Sequence, residues 1–537
     1  MNKKNFRIPI LIIVLVLGIV LGIELENIFS DDSLRESIKK FDDVLTYTEE
    51  YYVEDVDTQH LVESAINGML DDLDPHSIYI PAKEMSGVEE SFRGDFDGIG
   101  IEFQIVDDTL TVVSAISGGP SEALGILPGD RIVKIEGKSC IGITNEQVLQ
   151  KLRGKAGTKV NVSIKRNGVK NLIDYEITRD KIPLYSVDTH FMLKNNTGYV
   201  SVSRFSETTF DELLAALKDL KNSGMKQLIL DLRGNPGGLL QQAVDVSDLF
   251  IKGKKKIVYT EGRRTDLNEE FFAKKTYPYE DIPLIILINQ GSASASEIVS
   301  GAVQDWDRGL IVGETSFGKG LVQKQFPLPD NSAIRLTISD YFTPSGRLIQ
   351  RDYKSKKNKD EYYSEVSDRK EVEGDNLEHT AEEDSTKPEF KTAAGRIVYG
   401  GGGITPDYIV KSEDISEYTR NLLRQNIFYQ YSLLYLELNE NKIKQQFGDE
   451  LSKFVDDFNF TDSDIKSLIK FAETKDVKFI KKDFDADKNY IKTRLKAQIA
   501  RNFWKNKGWY SVMSSVDNQL LKALTLFDEA KHLADLK

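Results

Sequence analysis

The sequence predicts a multidomain α/β protein with helical regions at its N- and C-terminal ends. Its 537 residues correspond to about three or four domains of roughly 150 residues. Strand and helix patterns alternate between residues 181 and 410, as in an α/β layer, and a block of short strands precedes them at 86–180. Hydrophobic residues make up 40% and charged residues 29% of the chain, which excludes a chain disordered throughout.

Residues 1–30 are predicted to be a signal or anchor segment. The basic start, Met-Asn-Lys-Lys-Asn-Phe-Arg, precedes an almost wholly apolar stretch at 8–23, the pattern of an export signal. We expect an uncleaved membrane anchor, with the rest of the chain outside the cytoplasm, in the periplasm or cell envelope. A cleaved signal peptide is the alternative.

Two regions with different periodicity follow. Residues 31–85 are predicted to be helical, since Leu34, Ile38 and Phe41 recur at helical spacing. Residues 86–180 contain short strand patterns and one helical segment at 145–153, and Asn167-Gly168 marks a hairpin turn.

Residues 181–410 form the predicted α/β core. The runs at 226–232 and 284–288 are continuously apolar, as buried parallel strands are. Residues 354–392 are polar and charge-rich, and we interpret them as a mobile insertion without secondary structure. Residues 411–537 return to helical periodicity, with Leu422, Leu423 and Ile427 in one stripe.

A loop of small residues at 289–297 follows the second apolar strand and leads into a helix. Such a loop can expose a serine hydroxyl and aim backbone N–H groups at negative charge, which an acyl-transfer site requires. A serine-rich helix cap is the alternative.

Residues 313–320, Gly-Glu-Thr-Ser-Phe-Gly-Lys-Gly, nearly match a phosphate-binding loop. Gly320 stands where that motif needs a metal-binding Ser or Thr, and a strand pattern follows instead of a helix. Lys319, among glycines and apolar residues, would be desolvated, which lowers a lysine pKa and suits a general base. A solvated surface lysine is the alternative.

A third loop, Asp-Leu-Arg-Gly-Asn-Pro-Gly-Gly at 231–238, again joins a strand to a helix. Its amides can supply a second oxyanion donor, or the loop can be a structural turn.

Composition argues against several partners. The formal net charge is 71 − 85 = −14, which disfavours nucleic acid as the main partner. One cysteine, Cys140, and five histidines disfavour a zinc site, and we expect neither a metal nor another cofactor.

These motifs, in this order, resemble the carboxyl-terminal processing peptidases, the tail-specific serine proteases with a Ser-Lys dyad. The resemblance covers roughly residues 35–410. It rests on the strand-rich block and on four motifs: Leu-Asp-Pro-His-Ser at 73–77, the loop at 231–238, Gly-Ser-Ala-Ser-Ala-Ser-Glu at 291–297 and Phe-Gly-Lys-Gly at 317–320. It implies a crotonase-like protease core at 181–410 with an inserted PDZ domain at 86–180.

The resemblance also implies roles for individual residues. Ser294 is the implied nucleophile, Lys319 the general base, and Gln323 the residue that orients the lysine. Ser292 and Ser296 are weaker candidates for the nucleophile. The implied oxyanion donors are the amide of Ala295 and that of one of two glycines, Gly237 and Gly238.

The start of the PDZ block has a physical interpretation of its own. The amides of four residues can form a nest for a free carboxylate, and a peptide C-terminus would then add as a strand: Gly98, Ile99, Gly100 and Ile101. A bulge in the strand is the alternative. By resemblance, Arg153 couples peptide binding to protease activation.

The predicted function is a serine endopeptidase that recognises apolar C-terminal ends of protein substrates. A non-catalytic PDZ scaffold and a crotonase-like acyl-CoA enzyme are the alternatives. The expected partners are protein or peptide substrates and, through residues 1–30, a membrane; a homo-oligomer is compatible with the sequence.

Overall fold

The computed structural model describes residues 32–369, 371–377 and 387–536. The predicted anchor at 1–30 lies outside these residues. Across the described ranges, no helix combines the length and the apolar character that crossing a bilayer requires. The chain divides into two compact units between Tyr79 and Ile80.

The first unit is helical up to residue 71, as predicted. Helix α1 (Asp32–Tyr51) carries the predicted apolar stripe, but the stripe is exposed, with Ile38 61% accessible. Helix α2 (Thr58–Asp71) begins where the Asp57 carboxylate accepts a hydrogen bond from an N–H group of the first turn. A turn centred on the buried Asp74 and strand β1 (Ile78–Ile80) follow.

A β-rich module opens the second unit. Helix α3 (Ala82–Arg93) leads through β2 (Asp95–Gly98) into a six-stranded antiparallel sheet, and β9 (Asp180–Pro183) pairs back with β2. The sheet order is β3-β4-β5-β7-β8, with β6 on β5, so β3 is an edge strand. The remaining elements of the module are β3 (Ile101–Val106), β4 (Thr109–Ala115), α4 (Pro120–Ala123), β5 (Arg131–Ile135), β6 (Lys138–Ser139), α5 (Asn145–Leu152), β7 (Lys159–Lys165) and β8 (Ile173–Thr178). The predicted helix at 145–153 and the hairpin at Asn167-Gly168 are confirmed.

The rest of the second unit combines two large sheets and a two-stranded sheet, β20-β21, with helices. Its strands are β10 (Val187–Met192), β11 (Thr197–Val202), β12 (Gln227–Asp231), β13 (Lys256–Glu261), β14 (Glu270–Phe272), β15 (Leu284–Ile288), β16 (Leu310–Gly313), β17 (Leu321–Pro327), β18 (Ala333–Phe342), β19 (Gly374–Asp375), β20 (Glu389–Lys391), β21 (Ile397–Tyr399) and β22 (Tyr408–Ile409). Its helices are α6 (Thr209–Asn222), α7 (Leu240–Asp248), α8 (Ala295–Asp305), α9 (Lys359–Ser367), α10 (Glu417–Arg424), α11 (Ile427–Phe447), α12 (Leu451–Asp457), α13 (Asp462–Glu473), α14 (Lys481–Met513), α15 (Asn518–Leu524) and α16 (Phe527–Leu533). A single 3₁₀ turn (Thr265–Leu267) precedes β14.

A seven-stranded sheet forms the centre of the core, in the order β10-β11-β12-β15-β16-β22-β19. The five strands from β11 to β22 are parallel, while β10 and β19 are antiparallel edges. Leu284 and Ile286 of β15 pack with helices α6–α8 on one face, and Ile285 and Leu287 pack with α15 and α16 on the other. Burial on both faces explains why this strand is continuously apolar.

A second, antiparallel sheet contains β17, β18, β13 and β14 in that order. Its β17–β18 hairpin begins two residues after Lys319, where the sequence predicts a strand. Because Gln323 and Gln325 lie two residues apart on β17, their side chains share one face of this hairpin.

The interpretation of residues 354–392 as lacking secondary structure was wrong for part of the segment. Helix α9 lies within it, with Tyr362 and Val366 buried, and the Arg351 guanidinium stacks on the Tyr362 ring at 3.8 Å. The polar composition hid this helix, because two apolar side chains are enough to anchor nine residues.

Residues beyond 410 are helical, as predicted. Helices α10–α14 share a hydrophobic core rich in aromatic rings, among them Phe447, Phe454 and Phe458. Helices α15 and α16 instead cover one face of the central sheet.

Candidate active site

Ser294 lies between strand β15 and helix α8, at the N-terminal end of the helix. Its backbone has φ +54° and ψ −110°, a conformation that L residues rarely adopt. Unfavourable backbone geometry of this kind costs of order 1–3 kcal/mol and often occurs at functional sites. The turn carries the Ser294 side chain into a cleft of about 700 Å³.

Ser292 and Ser296 have structural roles in the same loop. Both are fully buried. The Ser292 hydroxyl donates to the Leu232 carbonyl at 2.8 Å, and the Ser296 hydroxyl donates to the Asn235 carbonyl at 2.9 Å. The two hydroxyls therefore fasten this loop to the loop at 231–238 and face away from the cleft.

Lys319 also lines the cleft, and its amine donates to Gln323 Oε1 at 2.8 Å. The Lys319 backbone is held by Tyr341, whose buried hydroxyl shares its one proton between the carbonyls of Lys319 at 2.7 Å and of Ser294 at 3.1 Å. Burial, reinforced by the charge of Glu297, raises the pKa of Tyr341, so this phenol stays protonated and remains a donor.

Glu297 joins the Ser294 and Lys319 loops, and sequence reasoning gave it no role. Its fully buried carboxylate accepts hydrogen bonds from the N–H groups of Ser294 (2.8 Å), Gly318 (2.7 Å) and Lys319 (2.9 Å), and from the Ser316 hydroxyl (2.5 Å). Burial raises the pKa of Glu297, while the four donors favour its charged form. A signal was available: an acidic residue three positions into a helix is typical of a capping interaction.

The glycine loop lies against Ser294. A Cβ at Gly237 would come within 2.8 Å of the Ser294 Cβ, so only glycine fits there. The Gly237 N–H donates to Asn235 Oδ1 at 2.9 Å. Among the described residues no acceptor is recorded for the N–H groups of Gly238 and Ala295, so these two amides are available to a ligand.

The cleft brings the predicted catalytic residues together. Its walls include Ser294, Lys319 and Gln323, together with Gly237 and Gly238. Ala295 is buried directly behind Ser294, at the first position of α8. A serine hydroxyl, an amine held by an amide, and unused backbone N–H groups are suited to acyl transfer.

The predicted carboxylate nest lies in the β-rich module, apart from this cleft. Gly98, Ile99 and Gly100 are buried and form the turn between β2 and β3, with Gly100 at φ +72°. Ile101 begins β3, whose outer edge is unpaired within the described part of the chain. An unpaired strand edge of this kind is the feature with which an extended peptide can pair.

Arg153 connects the module to the core. It follows α5, its guanidinium pairs with Glu90 of α3 at 2.5 Å, and it stacks on the Phe96 ring at 4.7 Å. Helix α3 also contributes Ser91 and Phe92 to the cleft wall, so the Arg153–Glu90 ion pair joins Arg153 to a helix that lines the cleft.

Fold and site together define a serine peptidase that carries a peptide-binding module, and comparison with known proteins agrees. Residues 196–355 match peptidase family S41, and residues 98–177 match the PDZ domain. Residues 24–84 match the N-terminal domain of the activating protease CtpB, and residues 418–505 match a family of unknown function, DUF8443.

Two curated relatives align with this chain over more residues than any one of these domains. The chain is 42% identical over 325 residues to the carboxy-terminal-processing protease of Bartonella bacilliformis, covering 60% of this chain and 74% of the relative. It is 40% identical over 304 residues to the carboxy-terminal processing protease CtpA of Bacillus subtilis, covering 56% of this chain and 64% of the relative. The chain belongs to the carboxy-terminal processing proteases, a family of serine peptidases, which confirms the resemblance found in the sequence.

The photosystem II D1 C-terminal processing protease is 29% identical, with 57% of this chain and 82% of that chain covered and a TM-score of 0.34.

Proposed function

We propose that Ser294 and Lys319 form the catalytic dyad of a protease that recognises the C-terminal end of its protein substrates. The observation that carries the proposal is the position of Ser294: of the three serines at 292–296, it alone faces the cleft that Lys319 and Gln323 also line. A non-catalytic PDZ scaffold has no need of the complete set of Ser294, Lys319 and Gln323, so their presence disfavours that alternative. The match to peptidase family S41 disfavours the crotonase-like acyl-CoA enzyme.

The proposed reaction begins when the neutral Lys319 amine takes the proton of the Ser294 hydroxyl as the hydroxyl attacks a peptide carbonyl. Gln323 accepts a hydrogen bond from that amine and so orients it. The lysine then donates its proton to the leaving amine. Water hydrolyses the acyl-enzyme in the second half of the reaction.

The developing oxyanion is proposed to bind the N–H groups of Ala295 and Gly238. The Ala295 amide is an unpaired donor in the first turn of α8, where the helix dipole favours negative charge. Gly238 is preferred over Gly237 because the Gly237 N–H already donates to Asn235. Removing one donor of this type typically costs about 10²–10³ in kcat.

Substrate recognition is assigned to the PDZ module. The amides of residues 98–101 would bind the terminal carboxylate, and the last residues of the substrate would pair with β3, whose neighbouring side chains favour apolar residues. Through the Arg153–Glu90 pair, an occupied module would favour the active arrangement of the cleft.

The finer assignment of the core and the cellular location are also proposals. The parallel sheet with helices on both faces is consistent with a crotonase-like core. The basic and then apolar residues 1–30 support membrane anchoring outside the cytoplasm.

Peptide hydrolysis by matched variants tests the dyad. With a quenched fluorescent peptide ending in apolar residues, we expect wild type and Ser223→Ala, a change at an exposed helix-end serine, to cleave equally. Ser294→Ala and Lys319→Ala should be inactive although folded. Undiminished cleavage by purified Ser294→Ala would exclude this mechanism.

A further inference from the structure

The cleft around Ser294 is cationic in a chain whose net charge is −14. The guanidinium groups of Arg204 and Arg335 line it beside the Lys319 amine, which is neutral in the proposed reaction, and none of its lining residues in the described part of the chain is acidic. Lys319 is the proposed general base. The positive charge of Arg204 stabilises the charged form of the Asp188 carboxylate. Arg335 has neither role.

Arg335 is half-buried and has no carboxylate partner within the described ranges. One of its nitrogens, Nη2, donates to Gln325 Oε1 at 3.2 Å, and its guanidinium lies 5.3 Å from the centre of the Phe92 ring. Burial lowers the pKa of Arg335, and no nearby charge offsets that effect. A guanidinium has five N–H donors, so most of its hydrogen-bonding capacity is unused.

The position of Arg335 suits a substrate contact. It pairs across the hairpin with Gln325, which lies two residues along β17 from Gln323. Two strand residues span about 6.6 Å, so Arg335 lies about two residues of an extended peptide away from the Lys319–Gln323 pair. Phe92 lies in the last turn of α3 and lines the cleft. The chain continues from there through β2 into the PDZ module, so Arg335 is near the side of the cleft where the module is attached.

We propose that Arg335, which contacts Phe92 and donates to Gln325, is a specificity-determining residue that binds a carboxylate of the substrate close to the scissile bond. A planar guanidinium with free N–H groups binds a carboxylate by charge-assisted, often bidentate, hydrogen bonds. The carboxylate is either an acidic side chain on the C-terminal side of the cleaved bond or the free C-terminus of a short peptide. This inference rests on the proposed function, because it places the substrate in the Ser294 cleft.

The test compares matched peptides. One peptide with an apolar C-terminus is cleaved by wild type, and its scissile bond is mapped by mass spectrometry. Matched pairs of peptides then carry either Glu or Gln at one position, and this position is varied over the four residues before and the four residues after that bond. A second pair carries a free or an amidated C-terminus. The readout is the ratio of kcat/KM within each pair.

We expect wild type to favour Glu over Gln by about tenfold at one position on the C-terminal side, the size of a half-exposed charge-assisted hydrogen bond. Arg335→Gln should reduce that ratio to about one, and Arg335→Lys should keep part of it. Lys324→Gln is the matched control, since Lys324 is an exposed cation on the neighbouring strand β17, next to Gln325, and its side chain faces away from the cleft. It should keep the wild-type ratio.

Each result decides between named alternatives. If Arg335→Gln removes the preference for a free over an amidated C-terminus instead, the bound carboxylate is the peptide terminus. If Arg335→Gln changes neither ratio, or if Lys324→Gln removes the preference, the inference is overturned. The proposed function has a separate test: cleavage by Ser294→Ala would contradict it. That result concerns the presence of activity, whereas the inference about Arg335 concerns the kcat/KM ratios within the peptide pairs.

Discussion

Glu297 is the residue on which the proposed geometry depends most. All four groups that face its carboxylate are hydrogen-bond donors, and two of them belong to the backbones of Ser294 and Lys319. A carboxylate has acceptor capacity for all four, whereas a neutral amide offers one oxygen and presents its own donors on the other side.

Replacing Glu297 by Gln should therefore reduce activity more than stability. We expect kcat to fall by at least about a hundredfold, because an amide NH₂ would face N–H donors and shift Ser294 relative to Lys319 by a fraction of an ångström. The measurement is kcat and KM for one peptide. Glu361→Gln, a change at an exposed residue of α9, is the control. Wild-type kcat in Glu297→Gln would show that the carboxylate does not position the dyad.

The stability of the same variant should depend on pH. Because burial raises the pKa of Glu297 in the folded protein, the folded state binds that proton more tightly than the unfolded state does. Wild type therefore loses stability as pH rises from the unfolded value, roughly 4.3, through the folded pKa. Glu297→Gln lacks this titration and so lacks this loss. The unfolding free energy of the variant minus that of wild type should therefore increase as pH rises across that range. A difference independent of pH would contradict the raised pKa.

At the scale of elements, the glycine loop depends on the C-terminal helices. The buried Arg233 guanidinium donates to Asp231 and also to Asp517 and Gln519, at 2.6–3.1 Å. Asp517 caps helix α15, which packs on the central sheet. The loop at 231–238 is thus held from one side by a segment almost 300 residues further along the chain.

Asp517→Asn should weaken this support. Removing the charge leaves the buried Arg233 with one carboxylate in place of two, which we expect to cost about 1–2 kcal/mol of unfolding free energy. Urea unfolding followed by tryptophan fluorescence is the measurement. Asp414→Asn, whose carboxylate is 97% exposed, should change nothing. Equal stability of the two variants would mean that Asp517 does not hold the loop.

Features formed by residues close together in the sequence could be predicted from it, whereas features that depend on contacts between distant residues could not. The loop around Ser294, the strand after Lys319 and the pairing of β7 with β8 follow from short-range patterns of glycine, serine and apolar residues. The contact between Arg233 and Asp517, the free guanidinium of Arg335 and the burial of helix α9 depend on tertiary packing, which no local pattern encodes.

At the scale of the second unit, the helices beyond residue 410 contact both the PDZ module and the core. Arg501 of α14 pairs with Glu102 of β3 at 2.8 Å, and Lys505 donates to Ser117 at 2.6 Å. Beyond a kink in α14 at Trp504 and Lys505, the Tyr510 hydroxyl donates to Asp188 at the edge of the core at 3.3 Å. The C-terminal helices therefore link the module to the core through side-chain contacts.

A double-mutant cycle tests this link. Arg501→Glu and Glu102→Arg should each destabilise the contact, and the double variant should recover part of the loss. The expected coupling is about 0.5–1 kcal/mol, since both side chains are partly exposed. Hydrogen exchange of the β4 amides should rise in the single variants and fall back in the double variant. Identical exchange in all four proteins would show that the pair does not restrain the module.

The covalent intermediate tests the central claim most directly. Wild-type enzyme mixed with a cleavable peptide is quenched in acid within milliseconds and digested, and the adducts are mapped by mass spectrometry. The account predicts that the N-terminal part of the substrate is attached as an ester to Ser294, and that no adduct forms in Ser294→Ala. An adduct on another residue, or full peptide turnover by Ser294→Ala, would contradict it.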